Sequence, residues 1–144
     1  MGERQQDRIT IAAPADTVWS IITDIDAYPE WADGVQAAEV LTTDDDGWPQ
    51  TARFRVDAKV AEVSYVLRYR YDGDDVHWHL EEGEMLSQLD GSYVLTREEA
   101  DLTHVVYELV VDVDLPLPSF LKKRAAKQIM DTGLKTLKAR AEDT

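Results

Sequence analysis

Residues 62–71 read Glu62-Val63-Ser64-Tyr65-Val66-Leu67-Arg68-Tyr69-Arg70-Tyr71. Val63, Tyr65, Leu67, Tyr69 and Tyr71 fall on one side of an extended backbone, and Glu62, Ser64, Arg68 and Arg70 on the other. A period of two marks a strand with one buried and one wet face. The pattern recurs on both sides of this stretch. Upstream, Val35–Thr43 ends in the turn Asp44-Asp45-Asp46-Gly47. Gln50–Val60 then sets Phe54, Val56 and Ala58 against Arg53, Arg55 and Asp57. Downstream of the turn Asp72-Gly73-Asp74-Asp75, Val76–Glu82 sets Val76, Trp78 and Leu80 against His77, His79 and Glu81. Leu86–Glu98 aligns Leu89, Gly91, Tyr93 and Leu95. Thr103–Asp114 aligns Val105, Tyr107, Leu109, Val111 and Val113 against His104, Glu108 and Asp112. Connections this short make hairpins, so the spacing predicts an antiparallel meander with one solvated face.

The flanks differ. Gln6–Ala13 is a short strand carrying Ile9 and Ile11. Pro14 fits the first turn of a helix opened by Ala15-Asp16-Thr17, with Val18, Trp19, Ile21, Ile22 and Ile25 on its apolar face. Pro29 disfavours helix at Tyr28 and begins a second short helix that Gly34 ends. Leu115-Pro116-Leu117-Pro118 breaks the sheet, and Ser119 is the expected N-cap of a long helix over Phe120–Ala141. Its expected apolar stripe is Leu121, Ala125, Ile129, Leu134 or Gly133, Leu137 and Ala141, with the lysines mostly outside it. No internal repeat or linker interrupts the chain, so residues 1–144 read as a single domain.

Composition narrows the function. The 144 residues include no Cys and carry a formal net charge of −14, which excludes disulfides, thiolate chemistry and Cys-based zinc sites and argues against nucleic-acid binding. No apolar run approaches the ~20 residues that span a membrane, so stable membrane insertion is not expected. The N-terminus has no apolar signal core, and a cytoplasmic location is the expectation. The charge is uneven: residues 1–118 hold 26 acids and 8 bases, whereas residues 119–144 hold 3 acids and 7 bases. The basic helix therefore either lies on the acidic body or offers a face to a weak protein partner.

One strand, two short helices, six strands and one long helix make an α+β domain. A 22-residue helix is about 33 Å long and covers a seven-stranded sheet only if the sheet curls around it. That geometry predicts a cavity lined by Phe54, Tyr65, Leu67, Tyr69 and Tyr71, by Trp78, Leu80 and Leu89, and by Tyr93, Tyr107 and Leu109.

Several motifs carry a resemblance. They are Pro14-Ala15-Asp16-Thr17-Val18-Trp19, Asp26-Ala27-Tyr28-Pro29-Glu30-Trp31, Gly91-Ser92-Tyr93-Val94-Leu95, Thr103-His104-Val105-Val106-Tyr107-Glu108-Leu109 and Leu134-Lys135-Thr136-Leu137-Lys138. On them, from about Asp7 to Glu142, the chain resembles the START-like (Bet v 1-like, SRPBCC) helix-grip superfamily, in its polyketide cyclase/dehydrase and lipid-transport branch. The resemblance implies a curved seven-stranded antiparallel sheet around a long C-terminal helix, with two short helices after strand 1 and a cavity between sheet and long helix. Members include aromatase/cyclases, sterol and lipid carriers, quinone-binding proteins and hormone receptors. Ala32-Asp33-Gly34 departs from relatives that place a Pro after the Trp31 position.

The candidate site follows. Inward Tyr65, Tyr69, Tyr71, Tyr93 and Tyr107 offer hydroxyls to a ligand bearing carbonyl or hydroxyl groups. Gln128 and Thr132, four apart on the long helix beside Ile129, form a second polar pair. Gly133 leaves room there, and Trp31 gates a mouth at Tyr28–Gly34. His77, His79 and Glu81 share a strand face, but a solvated one, so no metal site is expected. Parity also sends Arg53, Arg55, Arg68, Arg70 and His104 outside. No catalytic triad, phosphate loop or inward carboxylate pair is legible, and no cofactor is expected. The reading is a carrier or binding protein for a hydrophobic polyketide, aromatic, lipid or isoprenoid-like molecule, with a cyclase/dehydrase in the same cavity as the alternative. An interaction protein using the basic helix face is the third.

Overall fold

The computed structural model describes residues 3–57, 62–114 and 116–143. Every alternating segment becomes a strand: β1 (Glu3–Ile11), β2 (Val35–Thr43), β3 (Pro49–Asp57), β4 (Glu62–Asp72), β5 (Asp75–Gly83), β6 (Leu86–Glu99) and β7 (Leu102–Val113). The strands form one antiparallel sheet in the order β1-β7-β6-β5-β4-β3-β2. Strands β2 to β7 are the predicted meander, and β1 closes on β7 with Ile9 opposite Val105. Between β1 and β2 lie α1 (Ala15–Thr23) and a 3-10 helix, Ile25–Glu30; α2 (Ser119–Glu142) ends the chain. This is the expected α+β helix-grip fold, a curved sheet around a long C-terminal helix. The end of the predicted strand Gln50–Val60, Ala58 included, lies outside the described residues, as does Leu115.

Turn chemistry explains the hairpins. Gly47 and Gly73 take positive φ of 86° and 61°, a region other residues enter at a cost. Asp44 Oδ1 accepts from the backbone N–H of Asp46 at 2.9 Å and of Trp48 at 3.0 Å, which closes the β2–β3 turn. Charges stay outside: Arg68 Nε donates to Glu81 at 3.0 Å, and Arg53 and Arg55 pair with Glu39 and Glu62. The core lies between the concave face and the helices, where Ile11, Val18, Ile22, Ile25, Val76, Val105, Met130 and Leu137 lose nearly all solvent contact.

Three local expectations are corrected. Pro14 and Pro118 are the residues that cap α1 and α2, through backbone carbonyls and not side chains. The Pro118 carbonyl accepts from Leu121 and Lys122, so Ser119 is the first helical residue and not the N-cap. Pro29 sits inside the short 3-10 helix instead of starting it. The N-terminal half of the α2 stripe is rotated: Ala126 and Met130 are buried in place of Ala125 and Ile129, which are exposed, whereas Leu134, Leu137 and Ala141 are buried as expected. The observed steps of 4, 4, 3 and 4 residues follow a helical face without a gap. Two hydrogen bonds tie the helix C-terminal end to the end of β1. Lys138 Nζ donates to the Thr10 carbonyl at 3.0 Å, and Glu142 accepts from the Ala12 N–H at 2.8 Å.

One contact in mid-sheet is unusually close. A Cβ on Gly91 would lie 2.4 Å from Trp78 Cζ2 and 2.8 Å from the Glu108 carbonyl oxygen. In an ordinary strand Ala is no worse than Gly. Here Gly91→Ala is expected to cost about 1–3 kcal/mol through overpacking, read as a lower urea midpoint with altered near-UV tryptophan signal. An unchanged midpoint would show that the indole has room to move.

Candidate functional site

Strand parity delivers the aromatic side chains to the concave face, where they meet in an almost continuous run. From the 3-10 helix, Trp31 packs edge-on against Tyr28 at 5.0 Å between centroids, Tyr28 against Phe54 at 5.8 Å, and Phe54 stacks on Tyr65 at 5.5 Å. On the neighbouring strands Trp78 is the hub, 6.2 Å from Tyr69, 5.2 Å from Tyr93 and 5.9 Å from Tyr107. Tyr93 and Tyr107 lie 4.6 Å apart. Tilted and edge-on pairs of this kind are attractive beyond their buried area.

The hydroxyls of these tyrosines set the chemistry. Tyr28 donates to the Ile22 carbonyl and Tyr71 to the Pro49 carbonyl. The Tyr65 and Tyr69 hydroxyls have no protein partner among the described residues. No sealed side-chain polar atom among those residues lacks one, so both oxygens open onto free space. Burial pushes all of these phenols up, and neighbouring tyrosines add to it. The Tyr107 hydroxyl supplements burial at both Tyr65 and Tyr93. Tyr107 itself is pushed up by burial only to about 12, the neighbouring Tyr93 hydroxyl opposing the rise. The inward groups are therefore neutral hydrogen-bond donors at physiological pH.

Most sequence-predicted residues converge. Phe54, Leu67, Tyr69, Trp78, Tyr93, Tyr107 and Leu109 are buried in one cluster, with Trp31, Tyr65 and Leu89 packed partly buried against it. The α2 residues do not join as expected. Ile129 is 47% exposed, Gln128 is exposed and Thr132 is half-buried. Met130 lies inward instead, beside the expected Leu134, and a Cβ on Gly133 would sit 3.5 Å from the Tyr107 ring. Tyr28, expected only at the mouth, also joins the aromatic run through Phe54; its neighbour Pro29 restricts the backbone there. His77, His79 and Glu81 stay on the convex face, Glu81 engaged by Arg68, and no metal-holding cluster occurs among the described residues.

Two cavities border this cluster from outside, Trp78 reaching the first and Tyr69 the second. One of about 540 Å³ opens on the convex side between Arg4, Arg70, His77, His79, Gln88 and Ser92. The other, of about 430 Å³, lies where α1 meets the β2–β3 turn. The basic helix rests partly on acids of the body, through Lys122–Asp112 and Arg140–Glu30. Among the described residues no helix is long and apolar enough to cross a membrane.

The family model for polyketide cyclase / dehydrase and lipid transport matches residues 11–138. The chain belongs to this family. Among solved structures it is similar to a START superfamily protein from Mycobacterium smegmatis, at 24% identity and TM-score 0.92, covering 97% of each chain. It is also similar to the Zhui aromatase/cyclase from Streptomyces sp. R1128, at 16% identity and TM-score 0.85, covering 99% of this chain and 94% of that one. A third similar structure, from Thermus thermophilus, has 19% identity and TM-score 0.81, over 96% of this chain and 97% of that one. At these identities the likeness speaks for the fold. No curated protein matches the sequence.

For this family member the raised phenols have a sign that can be checked. All 6 tyrosines are neutral in the fold above pH 10, whereas the unfolded chain ionises there. The stability they confer is complete below pH 10 and is lost as pH rises through their folded values. Absorbance at 295 nm should stay flat past pH ~10.5 and then rise with cooperative unfolding seen by circular dichroism. Gradual ionisation near pH 10 in the folded protein would contradict the burial of these hydroxyls.

Proposed function

We propose that the protein binds a hydrophobic small molecule, of aromatic, polyketide, lipid or isoprenoid-like character, against the concave face. The observation that carries this is the pair of unpartnered hydroxyls, Tyr65 and Tyr69, opening among aromatic walls. An apolar ligand gains about 25 cal/mol for each Å² it buries. Each hydroxyl that meets a ligand carbonyl or hydroxyl adds a net ~0.5–1.5 kcal/mol and fixes orientation. The role is that of a carrier or binding protein. Trp31 gates the entrance beside the 3-10 helix, and Tyr93 and Tyr107 supply further polar contact at depth.

A cyclase/dehydrase acting in the same place is the second reading, favoured by the family match over residues 11–138. The inward ionisable side chains named here are tyrosines held in the neutral form, suited to polarising a carbonyl and poorly suited to removing a proton. Catalysis would then rest on folding a flexible substrate into a reactive shape.

Native mass spectrometry of the purified protein, followed by organic extraction, tests the proposal. A stoichiometric apolar molecule is expected. Tyr65→Phe/Tyr69→Phe should weaken its rebinding about tenfold, two hydrogen bonds' worth, while His79→Ala on the convex face leaves it unchanged. A bound mass that loses water on incubation assigns the enzymatic reading. An empty protein that also fails to bind the neutral dye Nile red overturns both.

A further inference from the structure

Trp19 and Trp48 play no part in the site described above; with Tyr71, whose hydroxyl is taken by the Pro49 carbonyl, they form a second aromatic assembly, which meets the first where Tyr71 stacks on Tyr69 at 6.3 Å. They come from three separate segments: α1, the β2–β3 turn and the end of β4. The ring centroids are 5.7 Å (Trp19–Trp48), 5.6 Å (Trp19–Tyr71) and 6.4 Å (Trp48–Tyr71) apart. The interplanar angles are 88°, 64° and 49°. No two of the rings stack flat, so they stand as the walls of a corner. They line the cavity of about 430 Å³ together with Asp44, Asp46, Gln50, Tyr69 and Gly73.

We propose that this corner binds a methylated ammonium group, by cation–π contact with Trp19, Trp48 and Tyr71 under the field of Asp44 and Asp46. A cation is drawn to the negative face of an aromatic ring within about 6 Å of its centroid, and quaternary ammonium groups suit such sites because they shed water easily. The walls are held in place before any ligand arrives. The Trp48 backbone N–H donates to Asp44 Oδ1 at 3.0 Å, and the Tyr71 hydroxyl donates to the Pro49 carbonyl at 2.6 Å. Trp48 nevertheless remains 40% exposed, an unusual position for a large indole on a pinned backbone.

Charge favours the same class of ligand. Asp44 acts on Tyr71: beyond burial, its carboxylate raises the Tyr71 hydroxyl further, so the negative field reaches the rings. The cavity has two carboxylates and one cation, Arg70, on its lining. Strand parity directs Arg70 to the convex side, opposite His77. The whole chain adds a formal charge of −14. An inorganic cation would need a set of oxygen or nitrogen ligands, and no such cluster is present among the described residues. The ammonium could come as a free small molecule or as the headgroup of a choline lipid.

The test compares choline and tetramethylammonium with dimethylbutanol, the neutral carbon isostere of choline, by tryptophan fluorescence and saturation-transfer NMR. Both cations should bind about tenfold more tightly than the isostere. Trp48→Ala should abolish that preference. Asp44→Asn keeps the oxygen that closes the turn and removes the charge, so it should weaken choline severalfold and leave the isostere unaffected. Sedimentation with phosphatidylcholine vesicles, with phosphatidylglycerol vesicles as control, separates the sources. Binding to free choline alone assigns a soluble cation, and selective binding to phosphatidylcholine assigns the headgroup. Equal affinity for choline and its isostere, or choline binding unchanged by both substitutions, overturns the proposal. So does the absence of both choline binding and phosphatidylcholine binding. Tyr65→Phe alone, at a residue that does not line this cavity, should weaken the concave-face ligand and leave choline binding intact, so the failure of this proposal and that of the concave-face reading are distinguishable.

Discussion

The Trp78 indole lies over Gly91, and the concave face is arranged around that contact. A sheet that curls around a helix has less room on its inner side than a flat one, so large side chains crowd there. Trp78 meets this crowding by lying across the neighbouring strand, in space that any Cβ at position 91 would take. From that position it touches Tyr69, Tyr93 and Tyr107 at once. Tyr69, Tyr93 and Tyr107 thus share one ring as a neighbour, and the glycine admits it.

Electrostatics divides the molecule in two. The chain is strongly acidic, yet its arginines pair with acids on the outer surface, where such pairs contribute little stability. The inner titratable groups are phenols that burial keeps protonated. The concave face is therefore neutral and hydrogen-bonding, and apolar burial holds the fold together. This suits a family whose fold accommodates both carriers and cyclases, since a neutral hydroxyl orients a carbonyl whether or not a bond is then made.

Helix α2 links these features. Its C-terminal end is tied to the end of β1 through Lys138 and Glu142, and its buried stripe begins only at Ala126. Before that point Phe120 is 64% exposed. The helix thus closes one end of the concave face firmly, and at its other end it leaves apolar surface uncovered.

The strands, their faces and the inward set from Phe54 to Leu109 were legible in the sequence, because a period of two is a local property and parity carries it from residue to residue. The helix phase was not legible in the same way. Ala125 with Ile129 and Ala126 with Met130 are equally apolar pairs, and only the contacts of α2 with β1 and β7 decide which pair faces the sheet. That choice moved Gln128 and Ile129 out of the candidate site and brought Met130 in. Tertiary structure alone also decided the assemblies drawn from distant segments: the Tyr28 ring against Phe54, and the corner of Trp19, Trp48 and Tyr71. Residues so far apart in the chain share no local period. Their meeting depends on how the 3-10 helix, the β2–β3 turn and the end of β4 come together in space.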